Sequence, residues 1–299
     1  MKTGPRLVAA HKSEERAAWL FVLPQIIGYL LFAVLPVVFS LYLCFCEWDF
    51  YNPIRFVGFD NFRLLANDVL FPKSVVNTLL FVVTTVPVTM LMSLLLALLC
   101  NRKIRGLSFY KSAFYLPMVT STVAISMVFF WIFSPDFGLL VFVFDKLGLE
   151  SPLWLDDPNW ARVTILIMSV WLKMGYYFLI FLAGLKGIST TYYEAAEIDG
   201  ANAWQKFRSI TIPMLSPVTF FIFVTLTIGI FNMFNEPYIL TEGGPVFSTY
   251  TLSMFIYDYS FKYLRLGPAA VASWALFILM GVTTFLQFYI SERRVNYDV

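Results

Sequence analysis

The chain has 299 residues, of which 59% are apolar and 19% aromatic, while only 13% are charged and the formal net charge is +2. Together with a positive mean hydropathy, this composition excludes an ordinary soluble globular protein. We therefore predict a membrane protein.

Six stretches that are almost free of charge are long enough to cross a bilayer as helices, which takes roughly 20 residues. They are Ala17–Cys46, Val75–Cys100, Ser112–Phe133, Val163–Leu185, Ser216–Asn235 and Pro268–Ile290. The predicted fold class is therefore all-α, a polytopic membrane protein with six transmembrane helices. Kinks are expected at Pro24, Pro36 and Pro87, because proline removes a helical hydrogen bond.

The positions of Lys and Arg predict the orientation, because these residues resist translocation across the membrane. The segments before span one and after spans two, four and six hold 13 of them, whereas the segments on the other side hold seven over a greater length. We expect a cytoplasmic tail over 1–16, a six-span domain over 17–290 and a cytoplasmic tail over 291–299. The first apolar run lacks a cleavage-site pattern and is too long for a signal-peptide core, so it is expected to stay as an anchor.

Cysteine and histidine usage argues against a disulfide framework and against a metal site. Cys44 and Cys46 are expected at the outer end of span one, and Cys100 at the inner end of span two, so all three are interpreted as packing thiols. His11 is the only histidine in the sequence and has no cysteine near it. We therefore expect no metal site.

The sequence contains no known nucleotide-binding motif. Neither the phosphate-cradling G-x-x-x-x-G-K-[ST] nor the G-x-G-x-x-G turn occurs. The outside loops are each about 30 residues long, which is too short for an independent solute-capturing domain. An energised transporter built on this chain would therefore need a separate ATPase and a separate binding protein.

A spaced pattern lies in the segment after span four, which is predicted to face the cytoplasm. Glu194-Ala195-Ala196 is followed by Gly200 and by Ile210-Thr211-Ile212-Pro213, which reads E-A-A-x(3)-G-x(9)-I-x-[LI]-P. This pattern resembles the cytoplasmic coupling loop of ABC importer permeases, here 186–215. By that resemblance, the ATPase-coupling residues are Glu194, Ala195, Ala196, Asp199, Gly200 and Ala201. The alternative for a bare E-A-A triplet is an amphipathic connector on the membrane surface.

The residues of this loop predict a short helix, a turn and a second helix. Thr191 and Glu194 have the spacing of a capping box, which would start a helix at Tyr192. The alanines keep one surface of that helix shallow, as a groove on a partner protein would require. Asp199-Gly200 then predicts a turn before a helix over 203–209.

Other segments resemble carbohydrate importer permeases of the same family. The run R-F-V-G-F-D-N-F at 55–62 is similar to the F-x-G-x-x-N-[FY] segment after the first span, and W-L-D-D-P at 154–158 is a similar outside-loop match. L-T-E-G-G-P at 240–245 resembles a loop of the larger maltose permease subunit and the glycerol-phosphate permease. Ser189 departs from the family's usual proline at the start of the coupling helix, but serine also starts helices well. Pro213 is expected at the first turn of span five.

The resemblance implies a type I ABC importer permease fold with a cytoplasmic coupling helix, in a transport subunit without enzymatic activity of its own. The implied partners are a second homologous permease subunit, an ABC ATPase dimer on the cytoplasmic side, an extracytoplasmic solute-binding protein and a carbohydrate, with no nucleic acid. No cofactor is expected in this chain, because ATP and Mg would be held by the ATPase. The implied location is the bacterial or archaeal cell (inner) membrane.

One polar stripe is predicted on span four. Lys173 is the only formal charge inside the six stretches, and a lysine at the centre of a membrane helix costs about 2.5–3.5 kcal/mol on insertion scales. It therefore needs a wet or paired site. Ser169, Lys173 and Tyr176 fall at i, i+4 and i+7, which places them on one side of a helix.

A second polar stripe is predicted on span five, where Thr225, Gly229, Asn232 and Glu236 recur at helical spacing. Hydroxyl and amide groups can bond sugar hydroxyls, and aromatic faces can pack on sugar rings. The predicted substrate pathway comprises Ser169, Lys173, Tyr176, Phe231, Asn232, Asn235 and Glu236. In the maltose-type subunit the sugar contacts lie on these two spans, and the resemblance puts Tyr176 and Asn232 at matching places. The alternative is polar bonding between neighbouring helices.

Three rival functions remain at this point. They are ABC import of a polyamine or other non-sugar solute, ion-coupled secondary transport, and catalysis by a membrane-embedded enzyme. The carbohydrate-type segments count against the first rival. The spans carry no acidic residue up to Asn235, which counts against ion coupling, and the sequence shows no acid cluster that would suggest an enzyme.

Overall fold

The computed structural model of the chain describes residues 18–101 and 105–291. In chain order its helices are α1 (Ala18–Leu43), α2 (Asp60–Asn67), α3 (Leu70–Cys100), α4 (Leu107–Val119), α5 (Thr122–Phe133), α6 (Leu139–Lys146), α7 (Pro158–Gly187), α8 (Thr190–Ile198), α9 (Ala203–Met214), α10 (Ser216–Phe231), α11 (Asn235–Thr241), α12 (Leu252–Tyr257) and α13 (Leu266–Ser291). Two short strands, β1 (Cys46–Glu47) and β2 (Arg55–Phe56), pair antiparallel between α1 and α2. The expected tails over 1–16 and 291–299 lie outside the described residues, except for Ser291, which is the last residue of α13.

Four of the described helices, α1, α3, α7 and α13, are each long and apolar enough to cross a membrane. Two bent pairs, α4 with α5 and α9 with α10, pass the same test when each pair is taken together. The described chain therefore has six membrane crossings if each bent pair forms one span. This arrangement agrees with the predicted all-α membrane fold.

The third predicted span, Ser112–Phe133, is not one straight helix. The chain bends by 96° between α4 and α5, where Thr120 is extended (φ −81°, ψ 151°). Pro117 lies one turn before the bend and cannot donate a backbone hydrogen bond. At the bend the Thr120 N–H donates to the Pro117 carbonyl at 3.3 Å, and the Thr120 side chain donates to the Leu116 carbonyl at 2.9 Å. The expectation of a continuous helix here was wrong, because hydropathy does not detect such a break.

The fifth span is also bent, by 60° between α9 and α10. Pro213 lies in α9, before the bend, so its expected position in the first turn of the span was wrong. Pro217 occupies the first turn of α10 instead. Because Pro217 has no backbone N–H, the Pro213 carbonyl accepts a hydrogen bond from the Ser216 hydroxyl at 2.6 Å.

The predicted proline kinks have different outcomes along the first two spans. The residues Leu30–Val34 of α1 form a π turn, in which the Leu35 N–H reaches back to the Leu30 carbonyl, directly before Pro36. In contrast, α1 continues through Pro24 and α3 continues through Pro87 without a break. Of these three described prolines, only Pro36 directly follows a π turn.

One compact unit comprises residues 18–66 with 259–271. Within it, the Asn61 amide donates to the carbonyls of Cys44 at 2.9 Å and Cys46 at 2.8 Å, which holds the end of α1 against the start of α2. Gly267 packs so tightly here that a Cβ would lie 2.2 Å from the Cys46 carbonyl oxygen. The asparagine of the F-x-G-x-x-N segment therefore has a structural role in this chain.

The second unit comprises the described residues of 67–258 and 272–291. Its centre is formed by α3, α7 and α10, whose buried side chains include Phe81, Phe178 and Leu226. The helices approach closely where residues are small: a Cβ on Gly175 would lie only 1.7 Å from the Phe114 carbonyl oxygen of α4. Small residues are a common means of close packing between membrane helices.

The loop with the L-T-E-G-G-P sequence is fixed to α3 and α7 of this unit. The Asn77 side chain donates to the carbonyls of Phe247 at 2.9 Å and Tyr250 at 3.0 Å. The Arg162 guanidinium donates to the Ser248 carbonyl at 3.0 Å. The loop is thus held by polar side chains of the two central helices, the buried Asn77 and the half-buried Arg162.

Candidate functional site

A cavity of about 360 Å³ lies in the second unit where four segments meet. These segments are the α4–α5 break, the middle of α7, the end of α10 and the start of α11. The lining residues are Pro117, Met118, Thr122, Leu172, Lys173, Tyr176, Tyr177, Leu226, Gly229, Asn232, Met233, Phe234, Asn235 and Glu236. Bent and broken helices around a polar cavity are frequent in transporters, because backbone groups freed from a helix can turn towards water or solute.

Lys173 and Glu236 form an ion pair at this cavity. The Lys173 Nζ lies 2.5 Å from the Glu236 Oε1, with side chains that are 20% and 7% exposed. The predicted need of Lys173 for a wet or paired site is thus met by a carboxylate in the first turn of α11. The two residues are 63 positions apart in the chain, so helical spacing could not pair them.

Three other predicted pathway residues line the same cavity: Tyr176 on α7, Asn232 at the end of α10 and Asn235 at the start of α11. The Asn232 amide donates to the Ile228 carbonyl at 2.9 Å, which leaves its side-chain oxygen as an acceptor. The cavity therefore offers amide, phenol, ammonium and carboxylate groups together.

Ser169 and Phe231 do not line this cavity. Both are 0% exposed, and the Ser169 hydroxyl has no hydrogen-bond partner among the described residues. The structure therefore brings together five of the seven predicted pathway residues and buries the other two within the helix packing.

The wall supplied by Pro117, Met118 and Thr122 was not predicted from the sequence, because the third span was expected to be one helix. Tyr177 and Phe234, which line the cavity beside the predicted stripes, were not predicted either. The P-M-V-T-S-T run at 117–122 carries the available signal, since a proline followed by β-branched and hydroxyl residues weakens a helix.

A second cavity, of about 660 Å³, lies in the unit of residues 18–66 and 259–271, and Trp48, Asp49, Arg265 and others line it. Asn52 donates hydrogen bonds to Asp49 from its backbone and side chain, and these lower the pKa of that carboxyl. In the described ranges, no group of three or more His, Cys, Asp or Glu residues could hold a metal ion.

The predicted coupling loop forms two helices separated by a turn. The first, α8, begins at Thr190 with Ser189 as its N-cap, whose hydroxyl accepts from the Thr191 N–H at 3.3 Å. The predicted Thr191–Glu194 capping box was therefore wrong, because the helix begins two residues earlier. The expectation that Ser189 can replace a proline as helix starter agrees with this cap.

The turn after α8 needs glycine. Gly200 has φ +78°, its N–H donates to the Glu197 carbonyl at 3.0 Å, and the Ala201 N–H donates to the Ala196 carbonyl at 2.8 Å. These two bonds define a Schellman motif, in which a left-handed residue ends the helix. The predicted turn at Asp199-Gly200 is present, and a capping box of Asn202 with Gln205 starts α9.

Two contacts hold α8 against α9. The Tyr193 hydroxyl lies 2.9 Å from the Thr211 hydroxyl, and the Lys206 ammonium lies 2.6 Å from the Glu197 carboxylate. The hydrogen bond and positive charge of Lys206 lower the pKa of Glu197. The two helices are therefore a connected unit rather than independent segments.

One surface of the loop is apolar and uncovered. Ile198 at the end of α8 is 87% exposed and Trp204 near the start of α9 is 65% exposed. Of the predicted coupling residues, Glu194, Ala195, Asp199 and Gly200 are exposed, while Ala196 and Ala201 are half-buried.

The comparisons of this chain with known proteins are consistent with one another. Residues 64–297 match the family described as binding-protein-dependent transport system inner membrane component. The chain is 34% identical to the probable ABC transporter permease protein YesP of Bacillus subtilis, over 96% of this chain and 94% of that protein. It is 39% identical to the lactose transport system permease protein LacF of Rhizobium radiobacter (92% and 94% covered). It is 34% identical to the sn-glycerol-3-phosphate transport system permease protein UgpA of Agrobacterium fabrum (93% and 96% covered).

Solved structures show the same similarity of fold. A chain of a bacterial alginate ABC transporter, crystallised in complex with a periplasmic protein that holds an alginate pentasaccharide, superposes with a TM-score of 0.81 at 25% identity. The match covers 94% of this chain and 96% of that chain.

Proposed function

Because this chain belongs to the family of binding-protein-dependent transport system inner membrane components, we propose that it is a permease subunit of an ATP-driven importer for carbohydrate. The expected all-α permease fold is confirmed by the family and structural matches. The carbohydrate assignment is supported by the lactose permease among its relatives and by the alginate transporter among similar structures. The sn-glycerol-3-phosphate permease shows that relatives also serve charged solutes.

The importer requires partners that this chain does not contain. We expect a second homologous permease, an ATPase dimer that binds ATP and Mg at the cytoplasmic side, and an extracytoplasmic solute-binding protein. The lack of nucleotide-binding motifs in the sequence supports the need for the ATPase. The chain would lie in the bacterial or archaeal cell membrane with both termini in the cytoplasm, as the distribution of Lys and Arg indicates.

The observation that carries this function is a continuous structural path from the loop to the cavity. The exposed apolar face of α8 and α9 offers a docking surface for the ATPase. The Tyr193–Thr211 contact connects α8 to α9, and α9 leads through the bend at Leu215 into α10. The residue that caps the end of α10, Asn232, lies on the cavity wall. Movement of α8 with a closing ATPase would therefore displace the end of α10, which is the coupling that alternating access requires.

The cavity supplies the chemistry of a sugar pathway. Tyr176, Asn232 and Asn235 can exchange hydrogen bonds with sugar hydroxyls, and the Tyr176 and Phe234 rings can pack on sugar faces. Lys173 and Glu236 complete the polar wall. The second permease would close the pathway from the other side.

Reconstitution tests this function. The chain is placed in lipid vesicles with the second permease, the ATPase and the binding protein, and uptake of radiolabelled mono- and oligosaccharides is measured with and without ATP. We expect ATP-dependent uptake only when all four components are present. Uptake by the chain alone under a proton or sodium gradient would support the secondary-transporter rival, and uptake of a polyamine but no sugar would support the non-sugar rival.

A further inference from the structure

The cavity wall of this chain carries no net charge. Among the described residues that line it, Lys173 and Glu236 are the only ones with a formal charge, and they are paired with each other. The remaining polar lining is uncharged: Thr122, Tyr176, Tyr177, Asn232 and Asn235. A solute that enters this half of the pathway therefore meets hydrogen-bonding groups but no free cation.

Glu236 is the more deeply buried member of the pair. Its side chain is 7% exposed, whereas that of Lys173 is 20% exposed and reaches the cavity. An anionic solute that accepts from the ammonium also brings its negative charge close to the buried Glu236 carboxylate, which repels it. Drawing the ammonium away from Glu236 would instead leave that carboxylate buried without its partner, and both effects are unfavourable.

An uncharged saccharide faces no such penalty. Its hydroxyl groups can donate to the outer side of the carboxylate and accept from the ammonium while the ion pair stays intact. The amide of Asn235 has no hydrogen-bond partner among the described residues and is exposed, so it is free to bond a sugar hydroxyl.

We propose that the Lys173–Glu236 pair is a specificity determinant that makes this wall select uncharged saccharides and reject acidic or phosphorylated ones. This inference rests on the proposed function of the cavity as a sugar pathway. It adds the substrate class and assigns the rejection of anions to a single residue, Glu236, which neutralises the one cation among the described lining residues.

The test measures binding to the purified assembly of this chain with its second permease and ATPase, without the binding protein, so that the selectivity of that protein does not enter. Saturation-transfer NMR is recorded with three pairs of probes. They are methyl glucoside with methyl glucuronide, methyl galactoside with methyl galacturonide, and lactose with lactobionate. We expect at least one neutral probe to bind, and its acidic counterpart to bind at least about tenfold more weakly.

Glu236→Gln isolates the determinant, because it keeps the size of the side chain and frees the charge of Lys173. We expect this variant to bind the acidic probe at least about tenfold more tightly than the unmodified chain. The attraction between an unpaired cation and an anion near a protein surface is larger than a tenfold change in binding requires. Binding of the neutral probe should weaken by about two- to tenfold, the contribution of one hydrogen bond to the Glu236 carboxylate, so the ratio of acidic to neutral binding is the deciding measurement. The charge-swapped variant Lys173→Glu with Glu236→Lys restores a neutral wall and should again reject the acid.

The outcomes test the charge inference and the sugar pathway separately. Co-purification of every variant with the second permease and the ATPase verifies assembly, and the charge-swapped variant provides a second measurement if Glu236→Gln fails to assemble. Equal binding of acidic and neutral probes by the unmodified chain would overturn the charge inference and leave the sugar pathway standing. An unchanged preference in an assembled Glu236→Gln variant would also overturn it. If none of the six probes binds to the intact assembly, the sugar pathway itself is wrong.

Discussion

The hydroxyl of Tyr193 on α8 lies 2.9 Å from the hydroxyl of Thr211 on α9. This bond joins the exposed helix of the predicted coupling loop to the helix that leads into the fifth span. A force applied to α8 would therefore reach α9 through a side-chain contact as well as through the turn at Gly200.

Tyr193→Phe removes this hydrogen bond and keeps the ring. Because a hydrogen bond of this kind contributes about 0.5–1.5 kcal/mol, we expect uptake per ATP hydrolysed to fall by about two- to tenfold. The measurement compares sugar uptake and ATPase activity in the reconstituted assembly. Tyr192→Phe is the matched control, because Tyr192 is the exposed neighbour, and an equal loss in both variants would contradict the role of the bond.

Gly200→Val should impair coupling, because φ +78° is strongly unfavourable for a β-branched residue. Steric crowding is not the cause, since no other described residue comes within 4 Å of a Cβ at this position. We expect loss of ATPase co-purification and of uptake, while the chain remains in the membrane. Gly200→Asn should retain most activity, because asparagine tolerates the left-handed conformation. Full uptake by the valine variant would show that the turn is unnecessary.

Lys173→Met should destabilise the protein by leaving the Glu236 carboxylate buried without its partner. Breaking a buried ion pair in this way costs about 3–5 kcal/mol. Heat treatment followed by size-exclusion chromatography should show loss of the folded chain at a lower temperature. Adding Glu236→Gln to Lys173→Met should recover most of that loss, and a double variant as unstable as Lys173→Met alone would contradict a paired origin.

Single cysteines should report which predicted residues face the pathway. On a background in which the three native cysteines are replaced, we expect cysteines at Tyr176 and Asn232 to react with a water-soluble thiol reagent in at least one transport state. Ser169→Cys is the matched control, because Ser169 lies on the same helix as Tyr176 but is fully buried. Reaction at Ser169 without reaction at the other two positions would contradict the lining.

Gly175→Ala should prevent stable packing of α7 against α4, because the new Cβ would lie 1.7 Å from the Phe114 carbonyl oxygen. Backbone atoms on both helices would have to move, so we expect low yield of folded chain. A Cβ on Gly187, at the end of the same helix, has no other residue of the described ranges within 4 Å, so Gly187→Ala should have no such effect. Normal folding of both variants would show that the close helix contact is not required.

Much of the candidate site was predictable from sequence because it depends on local spacing. The polar stripe that includes Lys173 and Tyr176 follows from helical periodicity, and the glycine turn of the coupling loop follows from the conformational freedom of glycine. The start of α8 was less predictable, since Ser189 and Thr191 are both good caps and only the observed hydrogen bond distinguishes them.

The sequence by itself determined that this is a helical membrane protein, where its apolar spans lie and where the predicted coupling loop falls, because these properties depend on hydropathy and on residues close together in the chain. Only the tertiary structure decided that the third span breaks at Thr120, that Ser169 and Phe231 are buried, and that Lys173 pairs with Glu236. Those features depend on how each helix is rotated against its neighbours and on contacts between residues far apart in sequence, which no periodic pattern within one segment can specify.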